Sequence, residues 1–362
     1  MKKSVYIIIL NWNGWKDTIE CLESIQQLRY RNYRIVLVDN GSEDNSMEHI
    51  KAWAAGNTIV KSRYVKYRSD NKNMYIVEYN KNIAEEGGVY RLENELSSLP
   101  SHKKLVIIKT NENLGFAGGC NVGIRYALAS GADYIWLLNN DTVVEKDALL
   151  FLVKYLELNK DFKCATGQIR LYDNPAKIWN CGGKLTWYGA RRYYYANDLV
   201  ENTPQKGNTK ISFITGCAAL LKSDVFKNAG LLSDRFFFGE EDFEISLRMK
   251  KLGYNMACLF GAIIYHKVGA SINSVKPGLN LARIYIHYLN RFINMKAYWP
   301  NPIWQIWRFS YIFYIIPMLI FRYRIRIFPI IDLLRALFKN STTLEKVDKA
   351  IFHSVMNGNF LK

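Results

Sequence analysis

Acidic residues are scarce relative to basic ones: 32 Asp+Glu stand against 49 Lys+Arg, a formal net charge of +17 over 362 residues. Paired cysteines are missing as well. The six present (Cys21, Cys120, Cys164, Cys181, Cys217, Cys258) are scattered, with no CxxC pair and no Cys/His cluster of zinc spacing. That pattern excludes a disulfide framework and a structural zinc site, and it fits reduced thiols in a cytoplasmic protein. No leader segment is expected, because Lys2 and Lys3 precede only the short apolar run 5–10, which asparagines then interrupt. Repeats and low-complexity tracts are lacking, and a hydrophobic content of 49% is enough to bury one large domain plus a smaller extension.

Two phosphate-binding fingerprints are also missing. The glycine-rich stretch NENLGFAGGCNVGIRYAL (111–128) would need glycine at Ala117 to read as GxGxxG, and Gly-Lys-Ser/Thr to read as a Walker loop. Dinucleotide-binding and P-loop classes are therefore excluded. What remains is a loop running into a helix, where glycines let backbone approach a phosphate and a helix N-terminus offers free N–H groups, or where the chain simply turns tightly.

The runs VYIIIL and YRIVLV are β-branched and flank apolar positions Ile19, Leu22, Ile25 and Leu28 at helical spacing, which predicts strand, helix, strand. Further strands are expected at KLVIIK, YIWLL, CATGQI and AALLK, and helices at 120–129 and 146–158. This alternation predicts an α/β doubly wound sheet, whose sites lie at the carboxyl ends of strands. Segment 57–101, polar and rich in Lys, Asn and Glu, reads as an insertion between the second and third core strands, with MYIVEY as an edge strand.

Three strand ends carry amides and acids: Asn11-Trp12-Asn13-Gly14, Asp39-Asn40-Gly41-Ser42 and Asn139-Asn140-Asp141-Thr142. Each alone fits ordinary turn chemistry, but together they converge on one sheet edge. Later, Glu240-Glu241-Asp242 precede a helix that ends in Lys250 and Lys251, an order the helix dipole favours, and His266 follows another apolar strand.

Taken in order, these motifs resemble the family-two inverting glycosyltransferases of GT-A fold, especially the rhamnosyltransferase-like branch, over residues 5–271 apart from the insertion. The resemblance implies an α/β GT-A domain (1–270) with a doubly wound mixed sheet, followed by a helical, basic, aromatic extension (271–362). It implies that Asn11, Asn13 and Asp39 hold the base and ribose of a nucleotide sugar. Asn113, Gly115, Phe116, Gly118, Gly119 and Asn121 look like the donor-binding glycine loop. Asn139, Asn140 and Asp141 fall where the family has DxD, so Asp141 would hold Mg²⁺ or Mn²⁺ on the donor diphosphate, and His266 is similar to a histidine that completes the metal site in some members. Glu241-Asp242 looks like the ED motif, with Asp242 as general base. The chain departs from DxD at its first acid, leaving Asp141 as the certain carboxylate ligand. The implied reaction moves a sugar, with UDP or dTDP the favoured donor nucleotide, to a hydroxyl of a glycan or lipid-linked acceptor in cell-surface polysaccharide assembly. A basic nucleic-acid-binding protein, or a non-catalytic relative, is the competing class. Acids at a binding face repel phosphates, so no nucleic acid is expected as partner.

From Ser271 onward there are 13 Lys+Arg and 3 Asp+Glu, so +10 of the net charge lies on the last quarter. Only 13 uncharged residues separate Arg308 from Arg322, too few for a simple membrane span. Aromatic residues beside Arg322, Arg324 and Arg326, then Ile327, Ile330, Ile331, Leu334 and Leu337 at amphipathic spacing, fit helices lying in a membrane interface at the inner face of the cell membrane. The same pattern fits packing on the catalytic domain or a homo-oligomer contact.

Overall fold

Val5–Asn11 forms the central strand β1, and its side chains divide between two cores. Val5, Ile7 and Ile9 enter one, Tyr6 and Ile8 the other, because successive residues of a strand point to opposite faces. A strand buried on both faces needs helices on both, and the chain supplies them. The computed structural model describes residues 3–268 and 277–359. The expected domain boundary at 270/271 lies outside them.

After β1 come α1 (Trp15–Gln26), β2 (Tyr33–Asp39), α2 (Ser46–Ala54), β3 (Tyr75–Asn80), α3 (Lys81–Glu85), α4 (Tyr90–Ser98), β4 (Lys104–Lys109), α5 (Gly115–Ala129) and β5 (Tyr134–Leu138). The second half runs β6 (Thr142–Val144), α6 (Ala148–Leu158), β7 (Phe162–Leu171), β8 (Ile178–Asn180), β9 (Gly183–Leu185), β10 (Arg191–Tyr193), β11 (Asn208–Ile211), β12 (Ala218–Lys222), α7 (Ser223–Ala229), α8 (Glu241–Lys251) and β13 (Asn255–His266). Among the described residues eleven strands make one mixed sheet in the order β11-β13-β7-β12-β5-β1-β2-β4-β3, with β6 paired to β13 and β8 to β7. Strands β5, β1, β2, β4 and β3 run parallel, and β12 enters antiparallel between β5 and β7. Helices α1, α2 and α6 cover one face, while α5, α7 and α8 cover the other.

The expected strands form. Helix α5, however, starts at Gly115 rather than at residue 120, so Gly118 and Gly119 are helical. Glycine is a poor helix former, and tertiary packing is what overrides that here. A Cβ at Gly119 would stand 2.4 Å from Leu10 Cδ1, and one at Gly123 would stand 2.6 Å from Ile8 Cγ2, so the helix can lie this close to β1 only without side chains there. Two other boundaries shift: α6 begins at Ala148 instead of residue 146, and His266 is the last residue of β13 instead of lying past it.

Segment 57–101 contributes β3, the edge strand, and is tied into the core by a buried ion pair. Lys72 Nζ donates to Glu23 Oε2 at 2.8 Å and to Gln26 Oε1 at 2.7 Å, and Trp53 Nε1 donates to the same Glu23 oxygen at 2.9 Å. Both charged side chains are almost fully buried. Removing one member of such a pair strands the other, so Lys72→Ala is expected to cost about 3 kcal/mol or more of unfolding free energy. Urea titration measures this, and a loss below about 1 kcal/mol would show that the pair is not holding the segment.

The C-terminal extension forms α9 (Pro277–Tyr298), α10 (Asn301–Pro317) continuing through a π-turn at Met318–Arg322, α11 (Ile327–Thr343) and α12 (Lys349–Met356). Its apolar face joins Leu185, Ala190, Phe213, Phe236 and Phe243 of the preceding domain in one core. By length and composition one helix among the described residues, Asn301–Arg322, could cross a membrane, although a third of it is buried against protein.

Candidate functional site

Register places the first two motifs side by side, since Asn11 stands opposite Asp39 at the ends of β1 and β2. Asn11 Oδ1 accepts from Thr18 Oγ1 at 2.7 Å and its amide donates to Ser42 Oγ at 2.9 Å. Asn13 has a left-handed backbone (φ 49°) and its Oδ1 accepts the Glu43 N–H at 2.8 Å, closing the turn after β1 onto the turn after β2. Asp39 is buried, and its Oδ1 has no hydrogen-bond partner among the described residues. Asn40 then reaches the glycine loop, donating to Asn113 Oδ1 at 2.9 Å and accepting the Leu114 N–H at 3.1 Å. Gly115 (φ 76°) sits so close to Phe237 that a Cβ would fall 2.2 Å from its carbonyl oxygen, and the Phe116 N–H donates to that same oxygen at 3.1 Å.

Strand β5 ends in the third motif because Asn139 N–H is taken by Cys217 O at 2.9 Å while Thr142 pairs with His266 on β13. Asn140 donates to Thr18 Oγ1 at 3.0 Å and so joins the first motif. Antiparallel pairing of β6 with β13 brings His266 Nε2 to 3.1 Å from Asp141 Oδ1. The two side chains are thus almost fully buried at ion-pair distance from each other. Burial acts to raise the Asp141 pKa, but the neighbouring His266 and the Lys267 cation together hold it below the ordinary carboxylate value. Trp179 lies against the imidazole, ring centroids 4.5 Å apart.

Among the described residues four buried polar atoms at this edge have no hydrogen-bond partner: Asp39 Oδ1, Asn139 Oδ1, Asp141 Oδ1, which stands at ion-pair distance from His266 Nε2, and His266 Nδ1. Unpaired buried polar groups cost roughly 1–3 kcal/mol each, so their clustering at one edge fits a polar ligand that supplies the missing bonds. Among the described residues no group of three His, Cys, Asp or Glu side chains is placed to hold a metal ion. Asp141 and His266 offer two ligands, which suits a hard divalent ion that takes its remaining oxygens from a diphosphate and water.

The acids 240–242 divide into three roles. Glu240 has a left-handed backbone (φ 77°) and caps the start of α8, its carboxylate buried against Arg291 Nε at 2.5 Å and Asn294 Nδ2 at 3.0 Å. Asp242 takes Arg191 Nη1 from β10 at 3.2 Å. Glu241 turns inward, with Oε2 buried and unpaired beside Phe116, Leu232 and Ile245. Burial, reinforced by the Asp242 charge, raises its pKa from the ordinary 4.5 to about 8. The folded chain thus keeps a proton that the unfolded chain releases, so stability falls as pH rises from about 4.5 to about 8. Glu241→Gln should remove this slope and gain more than about 1 kcal/mol over the parent at pH 9, with little gain at pH 5. Equal gains at both pH values in urea unfolding would show that Glu241 is not held protonated.

The loop 215–217 brings the two halves together. Cys217 O holds the Asn139 N–H, while a Cβ at Gly216 would lie 3.7 Å from Asp242 Cβ and 3.8 Å from Phe116. Asn11, Asn13, Asp39, Asn113, Gly115, Phe116, Asn139, Asn140, Asp141, Asp242 and His266 therefore belong to linked turns along one sheet edge. Asn121 lines a hollow with Asn113 and Gly118, but its amide is already engaged. Its amide donates to Leu232 O at 2.9 Å and its Oδ1 accepts the Leu232 N–H at 3.0 Å, which spends the side chain on anchoring the segment before α8, and Gly119 faces Leu10 and Asn40. Sequence reading missed Arg191, Arg291 and Asn294, which lie far from any motif in the chain. The one available signal was that Glu240-Glu241-Asp242 needs cations from somewhere.

Models of known families match most of the catalytic half: "Glycosyl transferase family 2" over residues 6–85 and "Glycosyltransferase like family 2" over 81–277. The dTDP-rhamnosyl transferase RfbF of Shigella flexneri is 24% identical over 231 residues, covering 62% of this chain and 72% of that protein. An uncharacterized protein of Mycobacterium tuberculosis is 24% identical over 188 residues, and the chain spans 66% of its length. Two solved structures share the fold. The mannosyltransferase PcManGT from Pyrobaculum calidifontis, in complex with GDP-Man and Mn²⁺, superposes with TM-score 0.51 at 14% identity, covering 99% of this chain and 87% of that one. GalNAc-T7 with UDP, GalNAc and Mn²⁺ gives TM-score 0.52 at 13% identity, covering 83% of this chain and 48% of that one.

Proposed function

Because the chain belongs to glycosyltransferase family 2, we propose that it transfers a sugar from a nucleotide diphosphate donor to a hydroxyl of a glycan or lipid-linked glycan, with inversion at the anomeric carbon. The observation that carries this reading is the row of unpaired buried polar atoms at Asp39, Asn139, Asp141 and His266, facing the linked turns that end β1, β2 and β5. A base and ribose would be held by Asn11, Asn13 and Asp39. The turns at Asn113, Gly115 and Phe116, with Gly118, Asn139 and Asn140, would enclose the rest of the donor. The likeness to a dTDP-rhamnosyl transferase favours a pyrimidine nucleotide, dTDP or UDP.

Asp242 is the base. Its carboxylate takes the proton of the acceptor hydroxyl as that oxygen bonds to the anomeric carbon and the bond from this carbon to the diphosphate oxygen breaks, in one displacement. Glu241 is buried, and burial with the Asp242 charge beside it raises its pKa to about 8, so it is not the group that takes the acceptor proton. Arg191 orients the base and lowers the cost of holding its charge in a partly buried place. A divalent cation, Mg²⁺ or Mn²⁺, would be held by Asp141 and His266 and would act as a Lewis acid on the departing diphosphate.

Calorimetric titration of the purified protein with dTDP, UDP and GDP, with and without Mn²⁺, tests the donor class. Binding of dTDP or UDP that strengthens with Mn²⁺ is expected. Absence of binding by all three under both conditions would overturn the reading. Proton NMR of the product then reports the anomeric configuration, and retention would dispose of the single displacement.

A further inference from the structure

Helix α10 presents two different faces. Trp304, Trp307, Tyr311, Ile315 and Leu319 are buried against α9 and α11, and Arg308, the charge that interrupts this apolar run, also turns inward to Phe338 O, Ser341 Oγ and Thr342 Oγ1 at 3.2, 3.2 and 2.7 Å. The opposite face therefore carries no charge. Ile303, Ile306, Phe309, Phe313 and Phe321 recur on it at helical spacing and stand in solvent, with Phe313 81% and Phe321 80% exposed. The chain then runs Phe321-Arg322-Tyr323-Arg324, with Arg326, Ile327 and Phe328 following, and Phe328 is 81% exposed. None of these three arginines has an ion-pair partner among the described residues.

An apolar face this continuous marks an interaction surface, and its charged rim identifies the partner. We infer that the outer face of α10, the π-turn and the start of α11 docks on the surface of a bilayer containing anionic lipid. Phenylalanines and isoleucines would enter the acyl boundary, with Arg322, Arg324 and Arg326 at headgroup level, each strengthening attraction to anionic lipid. A second copy of this chain fits less well, because it would bring its own three unpaired arginines and a tail of balance +10 against these. A span across the bilayer fits less well too, since one side of the helix is already occupied by protein.

Docking at this face would set the height of the catalytic cleft above the membrane, because two ties join it to the base. Trp307 Nε1 donates to Tyr188 O at 2.9 Å, holding α10 to the hairpin that carries Arg191, and Arg291 of α9 grips Glu240, one residue before α8. On the transfer reaction proposed above, such a pose suits an acceptor whose glycan is carried on lipid.

Flotation of the full-length protein with vesicles reads docking without reference to chemistry. Vesicles of phosphatidylcholine with about a third phosphatidylglycerol should carry the protein upward at 50 mM NaCl, and pure phosphatidylcholine vesicles much less. Raising the salt to 0.5 M should release part of the bound protein. Arg322→Glu/Arg324→Glu/Arg326→Glu should weaken binding to the anionic vesicles by about tenfold or more, and Phe313→Ser/Phe321→Ser should do the same. Nucleotide titration of each variant checks that the catalytic domain is intact, and if either variant is misfolded the single Phe321→Ser and the salt series of the parent decide. Equal recovery with and without anionic lipid, or undiminished binding by the folded variants, would overturn the inference. Sedimentation showing a dimer that the Phe313→Ser/Phe321→Ser variant splits, with no vesicle binding, would assign the face to self-association. Retention on vesicles after alkaline carbonate washing would assign it to a span.

Discussion

Asp242→Asn is expected to lower turnover by about 10²- to 10⁴-fold while leaving nucleotide affinity close to that of the parent. The substitution keeps the shape of the side chain and its place at the first turn of α8, and it removes the capacity to take a proton together with the charge that pairs with Arg191. Asp242 is one of two neighbouring acids that could serve. Glu241 is disfavoured by its environment, because burial and the Asp242 charge keep it protonated up to about pH 8, and its free oxygen faces apolar side chains. Asp242 lines the same hollow but is held by Arg191 Nη1 at 3.2 Å, and it lies near Gly216 in the loop that holds the tip of β5. Turnover and donor affinity measured on one preparation separate the possibilities. Loss of turnover with intact affinity supports proton transfer by Asp242. Full turnover in Asp242→Asn would move the base elsewhere, and loss of both would mean that the substitution had disturbed the start of α8.

Asp141→Ala should abolish the dependence of nucleotide binding on Mn²⁺, with an affinity in Mn²⁺ at least about tenfold below that of the parent, and His266→Ala should act in the same direction but less. A buried carboxylate and imidazole stand 3.1 Å apart at the sheet edge, and His266 Nδ1 has no hydrogen-bond partner among the described residues, an arrangement that suits a shared cation. Calorimetry with and without Mn²⁺, repeated after EDTA treatment, reads the effect directly. If Asp141→Ala binds nucleotide in Mn²⁺ as tightly as the parent does, the pair holds the strand end and not an ion. Thermal unfolding supplies the complementary signal. Asp141 is ion-paired with His266 and its charge is favoured in the fold, so the variant should also lose some stability, which the thermal scan reports separately from nucleotide affinity.

Parts of this molecule could be read along the chain because their physics is local. Alternation of β-branched residues in Val5–Asn11 and Tyr33–Asp39 sets strands, and amides at their ends set the turns. Their convergence follows from parallel pairing, which puts Asn11 opposite Asp39. Asp141 and His266 were both visible as candidates, yet nothing local shows that they meet; a β6–β13 register does that across 125 positions of chain. The start of α5 was misplaced for a related reason. Its glycines look like a loop by propensity, and only the closeness of Leu10 and Ile8 explains why they are helical.

The sequence by itself determined the α/β class, the strand ends that bear the site, the family, and the excess of positive charge at the C-terminal end. The tertiary structure alone decided that Glu241 is buried beside Asp242, that Arg191 and Arg291 pair with the acids 240–242, that the Asn121 amide is engaged by Leu232, and that Arg308 turns inward so that the outer face of α10 carries no charge. Periodicity and turn chemistry act between near neighbours, so they survive in a string of letters. Ionisation, burial and the direction of a charged side chain depend on groups brought close from distant parts of the chain, and those exist only once the sheet and its helices have packed.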